Sequence, residues 1–340
     1  MKVLIIGSNR IPSYKIGIEQ PLRHLAKSGD CRFSVKNDDE AQIPDLLAAD
    51  IAIFIRTVSE EAYRFLELAR EMGKKTVYVI DDHFLALSPT TDVGRYYNDP
   101  GKRNVYIRFL KNADIVKVAS DFFAEHLRNH FNPNKIVCFP GSVDFSILSK
   151  SEKTEEDEKD GNKDRIVIGY EGGRKQAAFE PVSKALRRII RKYEDRIRIE
   201  FYGFAPEGFE NKPHVRVHPY ENDYPRFLKR LYDANWDIGL APLEPTLFHD
   251  CKSNNKFREY GACGIVGIYS DSPVYKSWVK NKENGLLAGA AARDWYEAME
   301  ELIERPELRK RLRNNAMRTA KENFTVETCA ERWRKQILHG

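Results

Sequence analysis

The sequence predicts an α/β fold in two halves, each a parallel sheet flanked by helices. Three observations predict it. Short β-branched, apolar runs alternate with amphipathic stretches of helical period, joined by short links. One stretch at 149–164, SKSEKTEEDEKDGNKD, has almost no apolar residue, cannot pack, and reads as a solvated linker. The chain has 340 residues, enough for two domains with sizeable cores.

The first half, residues 1–148, opens with a buried strand over Val3 to Ile6 that ends in Gly7, where the first strand of a Rossmann-like domain ends. Ile18 to Lys27 is amphipathic and helical. Ile51 to Ile55 is a second strand, and Ser59 caps a helix that runs to about Met72 and stops at Gly73. Thr76 to Ile80 is a third strand and delivers Asp81, Asp82 and His83 at its carboxyl end. A fourth strand, Ile115 to Ala119, a helix over Asp121 to His130, and a fifth strand, Lys135 to Phe139, complete the half.

The second half runs from Arg165 to Phe324. Ile166 to Tyr170 is its first strand. The loop Glu171-Gly172-Gly173-Arg174-Lys175 then opens a helix over about Phe179 to Tyr193. Strands follow at Ile197 to Tyr202, Val215 to His218 and Trp236 to Ala241, with a helix over Tyr224 to Ala234. The stretch from Cys251 to Leu287 contains a helix ending on glycine, KFREYGACG, and a buried strand, IVGIYS. A short helix presenting Tyr275, Trp278 and Val279 and an Asn-Gly turn come next. Trp295 to Ile303, Pro306 to Phe324 and Val326 to Leu338 are helical, residues 325–340 forming a C-terminal segment of their own.

Composition narrows the function. The net charge is +5, too mild to argue for nucleic acid, and no run interleaves aromatics with lysines. Five scattered cysteines without C-x-x-C spacing point to a reduced, cytoplasmic protein without a zinc site. No apolar run reaches the length of a membrane span or of a signal peptide. The basic runs around Arg187 to Arg198 and Arg309 to Arg313 read first as solvated faces. Their alternative is peripheral contact with anionic lipid at the cytoplasmic face of a membrane.

The stretch Cys251 to Leu287 resembles the donor site of retaining glycosyltransferases of the GT-B fold, two Rossmann-like domains facing a central cleft, and family 4 in particular. Asn255, Lys256, Phe257, Glu259, Tyr260, Ala262, Gly264, Val266, Ser270, Asp271, Asn284, Gly285, Leu286 and Leu287 fall in register with the family pattern. Gly267 stands about where the pattern has its second valine. The turn PGSVD at 140–144 resembles the segment that closes the family's N-terminal domain, and the family's last helix crosses back to that domain.

The resemblance implies a metal-independent transferase without a cofactor, using a UDP-, GDP- or dTDP-sugar and a glycan, lipid-linked or protein acceptor. It has a place in surface polysaccharide or glycoconjugate biosynthesis. It assigns Glu259 to the ribose diol, where one carboxylate accepts two hydroxyl hydrogens. Lys256, Arg174 and Lys175, with Asn255 and the Gly172-Gly173 backbone, are the candidates for the diphosphate. Without a metal, cations and helix amides must offset its charge. The plain alternative for each is a solvated charge. The family's glutamate eight positions before Glu259 is Cys251 here, with Asp250 one residue off, which leaves the sugar contacts open.

Asp81, Asp82 and His83 are the candidates for catalysis, orienting an acceptor hydroxyl or contacting the sugar, against a helix cap with solvated charge. They lack the D-x-D spacing of metal-dependent transferases. Arg10 reads as a surface residue or an anion contact. Two other readings compete. One is a non-catalytic glycosyltransferase-like binding or partner subunit, favoured by the missing upstream glutamate. The other is an oxidoreductase, which the absence of G-x-G-x-x-G after a strand argues against.

Overall fold

The computed structural model describes residues 1–8, 11–148, 165–210 and 212–340. Arg10 and the charged stretch 149–164 lie outside the described residues. The chain forms two compact units, each assembled from separated segments. The first holds Met1–Val143, Thr246–Asn254 and Phe324–Gly340, and the second holds Asp144–Pro245 and Asn255–Asn323. Among the described residues, no helix is long and apolar enough to cross a membrane.

The first unit is built on a six-stranded sheet, not five strands as the sequence suggested. Its strands are β1 (Lys2–Gly7), β2 (Arg32–Lys36), β3 (Ile51–Ile55), β4 (Lys75–Val79), β5 (Ile115–Val118) and β6 (Ile136–Cys138). They lie in the order β2-β1-β3-β4-β5-β6, every pair parallel. Strand β2 escaped notice because an edge strand buries little: its residues are only partly covered, whereas every residue of β3 and β5 is buried.

The expected helix over Ile18 to Lys27 starts earlier, with a turn at Pro12–Tyr14 and a π-helical turn at Lys15–Glu19 leading into Gln20–Lys27. Ser59 caps the helix Glu60–Glu71, accepting a hydrogen bond from the Ala62 amide. Two helices with no sequence assignment, Asp92–Asn98 and Pro100–Asn112, cover one face of the sheet, where Phe109 stacks on Tyr78 at 4.7 Å. The terminal helix Val326–Trp333 packs within this unit. Its Trp333 indole donates to the Gly17 carbonyl at 2.7 Å and meets Phe139 edge-on.

The second unit also has six parallel strands: β7 (Ile166–Gly172), β8 (Ile197–Gly203), β9 (Val215–His218), β10 (Ile238–Ala241), β11 (Val266–Ser270) and β12 (Leu286–Ala288). Their order is β12-β11-β10-β7-β8-β9. Strand β7 runs two residues further than expected and takes in Glu171, which the sequence placed in a loop. The short helix near Tyr275 ends at Lys276, so Trp278 and Val279 lie beyond it. There the Asn284 side chain ties the turn, donating to the Trp278 carbonyl and accepting from the Lys280 amide.

Three neighbouring strands of this sheet carry a row of glycines in register, Gly169, Gly239 and Gly267. Each faces an aromatic ring that a Cβ would overlap: Trp236 over Gly169, Tyr260 over Gly239 and Tyr269 over Gly267. The rings continue one another, Tyr202 to Trp236 at 5.0 Å and Tyr269 to Tyr275 at 4.8 Å. Gly267, which departs from the family pattern, thus makes room for the ring of Tyr269 on its own strand.

In both sheets the strand order reverses beside the first strand, between β1 and β3 and between β7 and β10. Such reversals leave a crevice at the carboxyl ends of the strands, where open α/β sheets bind ligands.

Candidate functional site

In the second unit the reversal brings together the end of β7, the start of the helix Gln176–Tyr193 and the helix Asn255–Cys263. Gly172 has φ +139°, and the Tyr170 hydroxyl donates to the Gly173 carbonyl at 3.1 Å. Gly173 is exposed, and nothing lies within 4 Å of where its Cβ would stand. Lys175 takes the N-cap position of the helix without capping it through its side chain, so amides of the first turn remain available as donors. Arg174 is exposed and has no hydrogen bond or ion pair among the described residues.

The helix Asn255–Cys263 is buried on every side from Phe257 onward. Such burial is unusual for a helix with three charges, and the charges answer one another. Glu259 is 3% exposed and Arg258 fully buried. Arg258 Nη2 donates to Asn255 Oδ1 at 2.9 Å. Lys256 forms an ion pair with Glu171 and stands 3.7 Å from Glu259 Oε2. Burial pushes the Lys256 ammonium below its ordinary value, and Glu259 opposes that shift. The Tyr224 hydroxyl lies beside Glu259 from the neighbouring helix Tyr224–Asp233.

The structure therefore gathers Glu259, Lys256 and Asn255, and adds Glu171 and Arg258, which sequence reasoning missed. For Glu171 a signal existed: it is the one charge in an otherwise apolar strand, and such a charge needs a partner.

In the first unit Asp81, Asp82 and His83 follow β4 and diverge. Asp81 is held in a two-pronged pair by Arg56, whose Nη2 also donates to Ser13 Oγ at 2.9 Å. Burial alone would raise the Asp81 carboxyl; the Arg56 guanidinium outweighs it and holds the group below the usual carboxylate range. Arg56 adopts φ +51°, directly after β3 at the strand-order reversal.

Asp82 accepts from Lys252 Nζ at 3.1 Å and remains partly exposed. His83 is 4% exposed, its ring 4.8 Å from His126 and close to Phe123 and Phe131. Burial first, then His126, Arg103 and His130, push its imidazole down to about 4, so it is neutral at ordinary pH. Sequence reasoning found this trio but neither of its cations, Arg56 and Lys252.

Asp250 and Cys251 belong to the first unit. Cys251 is fully buried in that unit's core. Asp250 ends a short helix, Leu247–Asp250, and burial raises its carboxyl. The position where the family pattern has its upstream glutamate is thus a core position here.

No family model and no curated protein matches the chain. Solved structures do. HepE from Anabaena, in complex with UDP and glucose, superposes with a TM-score of 0.70 at 13% identity, covering 100% of both chains. Sucrose-phosphate synthase from Thermosynechococcus elongatus gives 0.70 at 13% identity, again over 100% of both. The trehalose-6-phosphate structure from E. coli, bound with UDP-2-fluoro glucose, gives 0.67 at 12% identity over 99% of this chain and 98% of that one. Together with the two parallel sheets, these matches define the architecture as the GT-B fold of glycosyltransferases.

Proposed function

We propose that this protein is a retaining, metal-independent glycosyltransferase of the family 4 type. It moves a sugar from a nucleotide-sugar donor to a glycan, lipid-linked or protein acceptor. The observation that carries the reading is the charged cluster on the helix Asn255–Cys263 at the carboxyl-end crevice of the second sheet. A buried carboxylate and ammonium there, beside an exposed Arg174 and an uncapped helix start, suit a ribose diol and a diphosphate.

In this reading Glu259 accepts from the ribose hydroxyls. Arg174, with the amides after Gly173 and with Lys256, offsets charge gathering on the leaving diphosphate. Lys175 and Asn255 flank that site. The acceptor hydroxyl attacks on the face from which the phosphate departs, and the phosphate takes up its proton. No protein nucleophile is then required. On the first unit Asp82, steered by Lys252, orients the acceptor. Asp81, locked to Arg56, and the buried His83 hold the loop that carries Asp82.

The test is turnover of a panel of UDP-, GDP- and dTDP-sugars with and without excess chelator, following free nucleoside diphosphate. Release from one donor, undiminished by chelator, is expected, because Arg174 and Lys256 do the work of an ion. Strict dependence on Mg²⁺ or Mn²⁺ would remove the cation assignment. Nucleotide binding without any turnover would favour a binding subunit, the reading that the Cys251 position supports.

A further inference from the structure

Glu171 has no part in the reading above, yet it is the one charged residue on β7 and is 5% exposed. Its partner comes from another element: Lys256, in the first turn of the helix Asn255–Cys263. The geometry around Lys256 is uneven. The ammonium pairs closely with Glu171, while its ion pair with Glu259 Oε2 is longer, at 3.7 Å. Of the two carboxylates, Glu171 is the one that holds the ammonium closely.

Resting on the donor reading, we infer that Glu171 is a positioning residue of the nucleotide site. It takes up the charge of Lys256 and fixes its flexible stem, so that Glu259 keeps its oxygens for a ligand. A lysine ammonium is a mobile point charge, and burial demands a counter-ion for it. With Glu171 neutralised, the nearest carboxylate is Glu259, one turn along the same helix. The ammonium would close onto it, and each would be lost to the nucleotide. Arg258 cannot replace Lys256, because it is fully buried and its Nη2 is tied to Asn255.

The experiment is a double-mutant cycle on nucleoside diphosphate affinity, measured by calorimetry with UDP, GDP and dTDP. The variants are Glu171→Gln, Lys256→Met and the two combined. Removing Glu171 should weaken the best-bound nucleotide about tenfold in the wild-type background and less than about twofold once Lys256 is gone, since the two act as a unit. Glu171→Asp, which keeps the charge, should restore part of the loss and serves if Glu171→Gln does not fold.

An equal loss in both backgrounds would overturn the inference, since Glu171 would then act without Lys256. Tighter binding by Glu171→Gln would also overturn it, because Glu171 would be competing with the ligand. A wild-type protein that binds none of the three nucleotides would sink the donor reading itself, and this role with it.

Discussion

Glu259 rests the donor assignment on a single carboxylate that has almost no contact with water. Its replacement by alanine should lower nucleoside diphosphate affinity tenfold or more, because losing a charge-assisted hydrogen bond costs about 1.5–3 kcal/mol. Calorimetry on a variant with an unchanged circular dichroism spectrum checks this, and unchanged affinity would remove Glu259 from the site. His83 makes a different prediction. Folding holds its imidazole near 4 against an ordinary value of 6.5. As pH falls through 6.5 the unfolded chain binds a proton that the folded one refuses, so stability declines towards pH 4 and levels off below it. The loss should approach about 3 kcal/mol. Urea titrations from pH 7 to 4 should show it, and His83→Phe should lack that component. An equal pH slope in both proteins would place the imidazole in contact with water.

At the scale of elements, the glycine row in the second sheet sets how closely rings approach the strands. Gly239→Ala would put a methyl group 2.5 Å from the ring of the fully buried Tyr260. The ring has no open space to enter, so overpacking should cost about 1–3 kcal/mol or more. Thermal melting should register several degrees of loss, and an unchanged midpoint would mean that the ring yields freely.

The strands with buried, β-branched runs, such as Ile51–Ile55 and Ile115–Val118, were legible in the sequence to within a residue or two. Edge strand β2 and the helices Asp92–Asn98 and Pro100–Asn112 were not. The first buries too little to show a pattern, and the helical pair begins with turn-like prolines and glycines. The candidate site divides in the same way. Lys256 and Glu259 stood out by their match to the family pattern, but Glu171, Arg56 and Lys252 acquire meaning only through partners distant in the chain.

On the scale of the whole molecule, the discontinuous first unit has a consequence for biosynthesis. A ribosome delivers residues in order, and multidomain chains usually complete their N-terminal domain first. Here that order is reversed. The second unit is complete once Asn323 has emerged, whereas the first still lacks the segment from Phe324 to Gly340. Trp333, fully buried against Gly17 and Phe139, is made after every residue of the second unit. Until that segment emerges, the first sheet therefore stands with part of one face uncovered, exposing Ile5, Leu22 and their neighbours in that core. Nascent chains arrested just after Asn323 should give a protease-resistant second unit and a sensitive first one. Equal resistance of both halves in such chains would show that the terminal helix is dispensable to the core it covers.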